Sequence, residues 1–192
     1  TKVFNETQKF PEKDAYLVSK IYKDFVEAGG AVNEEAMTAE NALEIFDNLM
    51  TEMDEKNVPA TGRIAYVTPA TKKLFKKAEG ILRAITVNGS NDNTINRIVD
   101  RLDEVKLITV PSFLMKTAYD FNTGFAPSET AKQINLFLVH PSAILTPNKY
   151  AFVGMEAPAA GTKGDYIYYE KEYADVFILN NRTGAIAFNI AE

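Results

Sequence analysis

Residues that could do acid–base or nucleophilic chemistry are scarce in this sequence. There is no cysteine, and His140 is the only histidine, so cysteine nucleophiles, cysteine metal sites and zinc sites with more than one histidine are excluded by count. His140 alone could still act as a general base. It ends an apolar run and precedes Pro141, a position that favours a structural role. The sequence therefore predicts no catalytic, cofactor-binding or metal-ligating residue.

Acidic residues cluster at three places, where paired carboxylates could serve acid–base chemistry or hold a divalent cation. None has the regular spacing of a calcium loop, so solvated charge is the expected role. Two glycines and a lysine also lie together in Gly161–Gly164, but the full pattern of a phosphate loop is absent, which favours a tight connection between strands. The acidic clusters are Glu34–Glu35, Asp54–Glu55 and Asp100–Glu104.

Two further groups of side chains could make contacts rather than do chemistry. Four lysines recur at helical spacing, and either a solvated helix face or contact with an acidic protein surface, ahead of nucleic acid, explains them. Four tyrosines alternate on expected strands, where tyrosine either packs in the core or lies in an interface. The lysines are Lys72, Lys73, Lys76 and Lys77, and the tyrosines are Tyr166, Tyr168, Tyr169 and Tyr173.

The composition is that of an ordinary globular protein. The 192 residues are 46% hydrophobic and 24% charged, which suits one large domain or two small lobes. A net charge of -5 without a basic stripe argues against sequence-specific nucleic-acid binding. The apolar runs fall far short of the roughly 18 to 20 residues that cross a bilayer, and the first residues lack the pattern of a signal peptide. The sequence thus predicts no membrane segment.

Two amphipathic helices are predicted near the start of the chain. Apolar residues recur at spacings of three and four over Glu12–Ala28, with Pro11 in the first turn and Gly29–Gly30 at the end. The second helix is expected to begin with Thr38 as its N-cap and to stop before Pro59. The expected core residues are Ala15, Leu17, Val18, Ile21, Tyr22, Phe25 and Val26 in the first helix, and Leu43, Ile45, Phe46, Leu49, Met50 and Met53 in the second.

The rest of the chain is predicted to be mainly strands. Gly62–Thr68 reads as a strand that runs straight into a helix over Pro69–Ala78, capped by Thr68. Ile134–Val139 is a nearly continuous apolar run, which suits a central strand covered on both faces. The remaining expectations are strands at Ile95–Asp100, Lys106–Val110, Asp165–Tyr169, Tyr173–Leu179 and Ala185–Ile190, loops or turns at Asn88–Asn93 and Asn180–Gly184, an extended excursion at Ser112–Lys132, and a short helical turn at Pro141–Leu145.

In their order and residues, these segments resemble the major capsid (coat) proteins of tailed phages and prophages of Gram-positive bacteria, which share the HK97-like fold. The resemblance runs over nearly the whole chain. It rests on five phrases in order: PEKDAY (Pro11–Tyr16), VPATGRIAYVTPATKKLFKKA (Val58–Ala78), INRIVDRLDEVKLITVPSFLMKT (Ile95–Thr117), INLFLVHPSAILTPNKY (Ile134–Tyr150) and GDYIYYEKEYADVFILNNRTGAIAF (Gly164–Phe188).

The resemblance implies an α+β subunit with a long spine helix in a peripheral lobe and a compact axial lobe of sheet and helices. The implied segments are the spine-helix part of the peripheral lobe at 1–35, the axial lobe at 36–139, peripheral-lobe strands at 140–170 and C-terminal strands at 171–192. It also implies a non-enzymatic structural role, in which copies assemble as pentamers and hexamers into a capsid around the viral genome. The implied location is the virion, after a stage in the host cytoplasm, with scaffolding and portal proteins as further partners and no cofactor.

One departure from this family is expected. Such coat proteins carry an N-terminal arm and an extended loop ahead of the spine helix, which here is predicted to begin at Glu12. Both are therefore expected to be missing, and the chain is expected to be a fragment. Since the cross-linking lysine of some of these shells lies on that loop, no cross-linking residue is assigned.

Three alternative functions stay open. An encapsulin-like compartment shell would share the fold. A small α/β enzyme, such as a hydrolase, would need converging polar groups, yet the sequence has no cysteine, one histidine and no serine-centred elbow. A small surface-binding module is compatible with the composition.

Overall fold

The computed structural model describes residues 2–78, 99–122 and 124–191, and it has the predicted α+β architecture. No helix in these ranges is both long enough and apolar enough to cross a membrane. The α-helices are α1 (Lys2–Phe4), α2 (Phe10–Glu27), α3 (Ala42–Glu55) and α4 (Pro69–Lys77). The strands are β1 (Ile64–Val67), β2 (Arg101–Leu102), β3 (Val105–Thr109), β4 (Tyr119–Asp120), β5 (Ala126–Pro127), β6 (Ile134–Val139), β7 (Ile144–Leu145), β8 (Asn148–Glu156), β9 (Ile167–Ala174), β10 (Phe177–Ile178) and β11 (Ile186–Ile190).

A five-stranded sheet with the order β11-β6-β1-β3-β2 forms the centre of the molecule. β6 pairs antiparallel with both β11 and β1, while β1 and β3 run parallel. The apolar run of β6 is therefore a central strand, as its composition predicts. Parallel pairing requires a crossover, and the chain between β1 and β3 includes α4.

Both faces of the sheet are covered. Leu136 and Leu138 of β6 face the side of α3 and α4, whereas Phe137 and Val139 face α2, as the period of a strand requires. Phe137 stacks on Phe188 of β11 with ring centroids 4.6 Å apart. The result is three layers, with α2 on one side of the sheet and α3 and α4 on the other.

The N-terminal helix begins earlier than its apolar pattern predicts. A π-helical turn, Asn5–Lys9, joins α1 to α2, so the helical conformation extends from Lys2 to Glu27. Pro11 lies in the first turn of α2, and because proline has no backbone N–H the regular α-helical bonding cannot pass through it. The predicted end is confirmed, since Gly29 adopts a positive φ of 80° directly after the helix.

A threonine was predicted as the N-cap of both α3 and α4. Thr38 caps the turn that leads into α3, as predicted: its hydroxyl accepts a hydrogen bond from the Asn41 N–H at 3.4 Å, and its own N–H donates to Asn41 Oδ1 at 2.7 Å. The helix begins one turn later, after Asn41. The predicted cap of α4 is confirmed: the Thr68 hydroxyl accepts a hydrogen bond from the Thr71 N–H at 3.2 Å.

The C-terminal third departs most from prediction. β9 runs without a break from Ile167 to Ala174 and so joins the first expected strand to the start of the second, whose remainder holds only β10. The expected turn at Asn180–Gly184 is a 3-10 helix, Asn180–Ala185. The helical turn after His140 is confirmed as the 3-10 helix Pro141–Ala143. The excursion at 112–132 holds the 3-10 helix Ser112–Leu114 and the small β4–β5 pair. The predicted loop at 88–93 lies outside the described residues, as does most of the predicted strand at 95–100.

Candidate functional site

The feature that stands apart from the layered core is a long hairpin formed by β8 and β9, here called the 148–174 hairpin. Its strands pair antiparallel from Asn148–Ala174 at the base to Glu156–Ile167 at the far end. They form a separate two-stranded sheet, and within the described residues neither outer edge pairs with another strand. An isolated hairpin is marginally stable in water, and open edges invite pairing. This element therefore depends on contacts beyond its own ladder.

One face of the hairpin is mainly apolar and open to solvent. Because successive residues point to opposite faces, the register places five large side chains on one face, here called the apolar hairpin face, beside Lys171 and Glu156. Each of the five is between 45% and 54% exposed. Two cross-strand aromatic pairs lie on it, each with ring centroids 5.9 Å apart. The members of the face are Tyr150, Phe152, Ile167, Tyr169 and Tyr173.

The opposite face is held against the N-terminal helix by charge. Lys9 contacts both Glu170 and Glu172, the latter at 3.0 Å, and Lys13 Nζ lies 2.6 Å from Glu172. The Lys9 ammonium, followed by the Tyr168 hydroxyl, holds the pKa of Glu170 below its usual value. Lys13 and then Lys9 do the same for the pKa of Glu172. These four charged residues, Lys9, Lys13, Glu170 and Glu172, form what we call the ionic clamp.

A second contact fixes the base of the hairpin. Tyr16 of α2 donates a hydrogen bond from its hydroxyl to Asp175 Oδ1 at 2.9 Å. The Val176 N–H donates to the same oxygen at 2.8 Å. The Val176 N–H, followed by the Tyr16 hydroxyl, holds the pKa of Asp175 below its usual value. The clamp and this base contact orient the hairpin so that its apolar face points away from the helix.

The predicted tyrosine series lies on or next to this hairpin, although not on one face. Tyr169 and Tyr173 belong to the apolar hairpin face, whereas Tyr168 lies on the clamp side and donates to Glu170. Tyr166 precedes β9 and is 70% exposed. Core packing is thus the wrong interpretation for these tyrosines, because all four are exposed in this chain. The exposure of these tyrosines agrees with the other interpretation, in which they lie in an interface.

The other residues that could do chemistry do not lie together. His140 Nδ1 accepts a hydrogen bond from the Ser142 N–H at 3.3 Å and so caps the short helix that follows, which agrees with a structural role. Gly161–Gly164 lies in the turn between β8 and β9, where the Thr162 hydroxyl accepts from the Ala159 N–H at 2.8 Å. This confirms the expected tight connection.

The acidic clusters likewise form no common site. Glu34 pairs with Lys132 at 3.2 Å and Asp54 with Arg63 at 2.5 Å, while Asp103 occupies the β2–β3 turn with a positive φ of 50°. Over residues 2–78, 99–122 and 124–191, no group of three or more acidic, histidine or cysteine side chains could hold a metal ion.

Two of the five residues of the apolar hairpin face were not singled out from the sequence. Tyr150 and Phe152 lie on β8, which the residue pattern was not used to predict, although the family resemblance implied strands at 140–170. The signal was present, because NKYAFVGME between Pro147 and Pro158 carries aromatic and β-branched residues in alternation. That pattern also indicates one apolar face, and pairing with the tyrosine-rich segment that follows would have been the natural inference.

Comparison with known proteins identifies the class of fold. No family model matches the sequence, and no curated protein matches it. Solved structures do match, and they show that the chain has a fold found in phage capsids. A chain in the capsid structure of the cyanophage P-SCSP1u matches with a TM-score of 0.60 and 10% identity over 91% of this chain. A chain in a structure of Mycobacterium phage Che8 matches with a TM-score of 0.56 and 17% identity over 89%.

This chain spans 61% of the cyanophage chain and 56% of the Che8 chain. The α+β fold expected from the sequence resemblance is therefore confirmed at the level of a phage capsid fold.

Proposed function

We propose that this chain is a structural, non-catalytic subunit of the capsid of a tailed phage or prophage with the HK97-like fold, and that it acts by symmetric association with copies of itself. The observation that carries the proposal is the apolar hairpin face. Exposed apolar surface that is contiguous marks protein contacts, and aromatic residues are enriched in interfaces. The fold shared with phage capsid structures supports the same function.

The finer features of this proposal follow the sequence resemblance. Copies associate as pentamers and hexamers into a shell that encloses the viral genome of a phage of Gram-positive bacteria. Scaffolding and portal proteins are the further partners, and the subunit passes from the host cytoplasm into the virion. The division into a spine-helix segment at 1–35, an axial lobe at 36–139 and further strands at 140–170 and 171–192 stays a prediction.

The proposal is tested by the mass of the protein in solution, expressed from its complete reading frame and measured by light scattering and electron microscopy. The wild type is expected to form particles of many copies as its concentration rises. The double substitution Phe152→Ser/Tyr169→Ser removes two rings from the apolar hairpin face and is expected to raise the concentration needed for association at least about tenfold, since aromatic anchors dominate interface energies.

Phe113→Ser is the matched control, because Phe113 is equally exposed (53%) but lies on the 3-10 helix Ser112–Leu114, outside the hairpin. It should assemble as the wild type does. Wild-type protein that stays monomeric across concentration and salt contradicts self-assembly. If the hairpin variant assembles as the wild type does, the contact between copies lies on another surface.

A further inference from the structure

Two neighbouring helices carry opposite charge. α3 holds five carboxylates and no basic residue, whereas the nine residues of α4 include four lysines and no carboxylate. Both helices cover the same side of the sheet, and they touch through Phe46 and Phe75, whose ring centroids are 6.1 Å apart. The charges are therefore segregated between two adjacent surfaces rather than mixed.

The lysines of α4 form one outward surface, here called the lysine face: Lys72, Lys73, Lys76 and Lys77. Thr71 and Phe75 occupy the buried side of this helix. The lysines include two like-charged pairs at the i,i+4 spacing, and each such pair destabilises a helix by about 0.2–0.5 kcal/mol. Only the last turn gains from the helix dipole. A helix of this composition is poorly explained by its own stability.

The exposed carboxylates of α3 form the complementary surface. Glu52 and Asp54 are paired with Lys56 and Arg63, which leaves Glu44, Asp47 and Glu55, here called the acidic face. These three residues fall on one side of the helix by their spacing. Burial, with a smaller effect from the nearby Asp103 carboxylate, raises the pKa of Asp47.

We infer that the lysine face of one copy docks on the acidic face of α3 in a second copy. Among the described residues, no lysine of α4 pairs with a carboxylate of α3 in the same copy. The lysines span roughly 8 Å of helix, which fits within the roughly 17 Å from Glu44 to Glu55. The contact joins two different patches of identical chains, so a head-to-tail arrangement of copies can close into a ring.

A polyanion such as DNA fits the lysine face less well. A long, uniformly negative polymer lying over α4 would also approach α3, whose exposed charge is negative and which packs directly beside it. The net charge of the chain, -5, adds to this repulsion. A second copy carries both charges on adjacent helices, so its acidic helix can meet the lysines without placing a uniformly negative surface over α3.

The inference rests on the proposed self-association, and charge reversal tests it separately. Lys73→Glu/Lys77→Glu places two carboxylates on the lysine face, and Glu44→Lys/Asp47→Lys places two lysines on the acidic face, so each variant alone should associate roughly tenfold or more weakly than wild type by sedimentation velocity. An equal mixture of the two variants restores opposite charges across the contact and should recover most of the association. Raising the salt concentration should weaken the wild-type contact, because exposed charges are screened.

Lys2→Glu/Lys23→Glu is the matched control, since it changes the net charge equally at two exposed lysines of the N-terminal helical segment. It should leave association unchanged, and circular dichroism checks that every variant is folded. If both reversed variants associate as strongly as the wild type, this inference is overturned while self-assembly stands. It is also overturned if the mixture of the two variants does not recover association. If the wild type never associates, the proposed function itself is contradicted.

The same variants separate protein from nucleic acid as the partner. Binding of a short DNA duplex is measured by fluorescence anisotropy with wild type and with Lys73→Glu/Lys77→Glu. Weak wild-type binding that the reversal does not alter agrees with docking on a second copy. Loss of duplex binding in a variant that still associates normally overturns the inference and assigns the lysine face to phosphates.

Discussion

Arg63 lies one residue before β1, and its side chain is fully buried. Its guanidinium donates to the carbonyl oxygens of Pro59 at 2.9 Å and Val58 at 2.6 Å, and to Asp54 Oδ1 at 2.5 Å. Arginine is charged at every accessible pH and has five donors. It therefore satisfies the backbone of the loop between α3 and β1, where no regular structure does so.

Arg63→Met keeps most of the volume of this side chain but leaves the carbonyls of Val58 and Pro59 without a donor. The free energy of unfolding should fall by about 2–4 kcal/mol, because each buried acceptor without a partner costs about 1–3 kcal/mol. Asp54→Asn is the matched control, since it removes only the charge of a carboxylate that is 61% exposed, and it should cost less than about 1 kcal/mol. Urea unfolding measures both, and equal losses would mean that the ion pair dominates.

Single residues differ in how far sequence reveals their role. The cap at Thr68 was predictable, because a threonine directly before a proline at the start of a helix commonly serves as its N-cap. The burial of Arg63 was not, since its partners are mostly backbone carbonyls, which every residue has. His140 was expected to be structural because an apolar strand and Pro141 flank it, and in the structure it caps the short helix that follows.

Among the elements, the 148–174 hairpin depends on the ionic clamp for its orientation. The side chains of Glu170 and Glu172 are only 21% and 17% exposed, so their attraction to Lys9 and Lys13 is less screened than that of a fully solvated pair. The folded-state pKa of each glutamate is lowered. The stabilising effect is therefore present above the unfolded-state pKa of about 4.3 and is lost as the pH falls through the lowered values.

Titration of the side-chain carboxyl carbons by NMR should show both glutamates with pKa values below that of free glutamate. Lys9→Gln/Lys13→Gln should return these values towards normal and loosen the hairpin at neutral pH, as acid does in the wild type. Lys23→Gln removes a lysine of α2 that pairs with Glu27 and, among the described residues, with no carboxylate of the hairpin, so it should change neither pKa. Glutamate pKa values that the double substitution leaves lowered would show that the clamp is not their cause.

Elements with strong local periodicity were predictable, and elements defined by pairing were less so. The apolar stripe of α2 and the apolar run of β6 can be recognised in the sequence, because each is a local pattern. The unbroken length of β9 comes from its ladder with β8, which no local window contains. The early start of the N-terminal helix likewise reflects polar helix formers ahead of Pro11, where no apolar stripe marks the turn.

At the scale of the whole molecule, most of the order of helices and strands could be derived from sequence but the layering could not. β11 joins the central sheet beside β6, and β1 pairs with β3 across the α4 crossover. Such contacts link residues far apart in the chain, so local propensity does not determine them. The family resemblance predicted a capsid-type fold, yet the apolar hairpin face had to be read from the register of two strands.

The contrast between a closed core and an exposed hairpin predicts where association acts. In dilute, unassociated protein the amides of β6 and β11 should exchange slowest, because they open only with the whole fold, while those of β8 and β9 exchange through local opening. On association the hairpin amides should slow by roughly tenfold or more, with little change in the core strands, as expected when a partner binds only the closed form. Hydrogen exchange followed by mass spectrometry resolves both segments. Phe152→Ser/Tyr169→Ser should lose the slowing under the same conditions, and a hairpin already as protected as β6 in the dilute wild type would contradict the idea that a partner completes it.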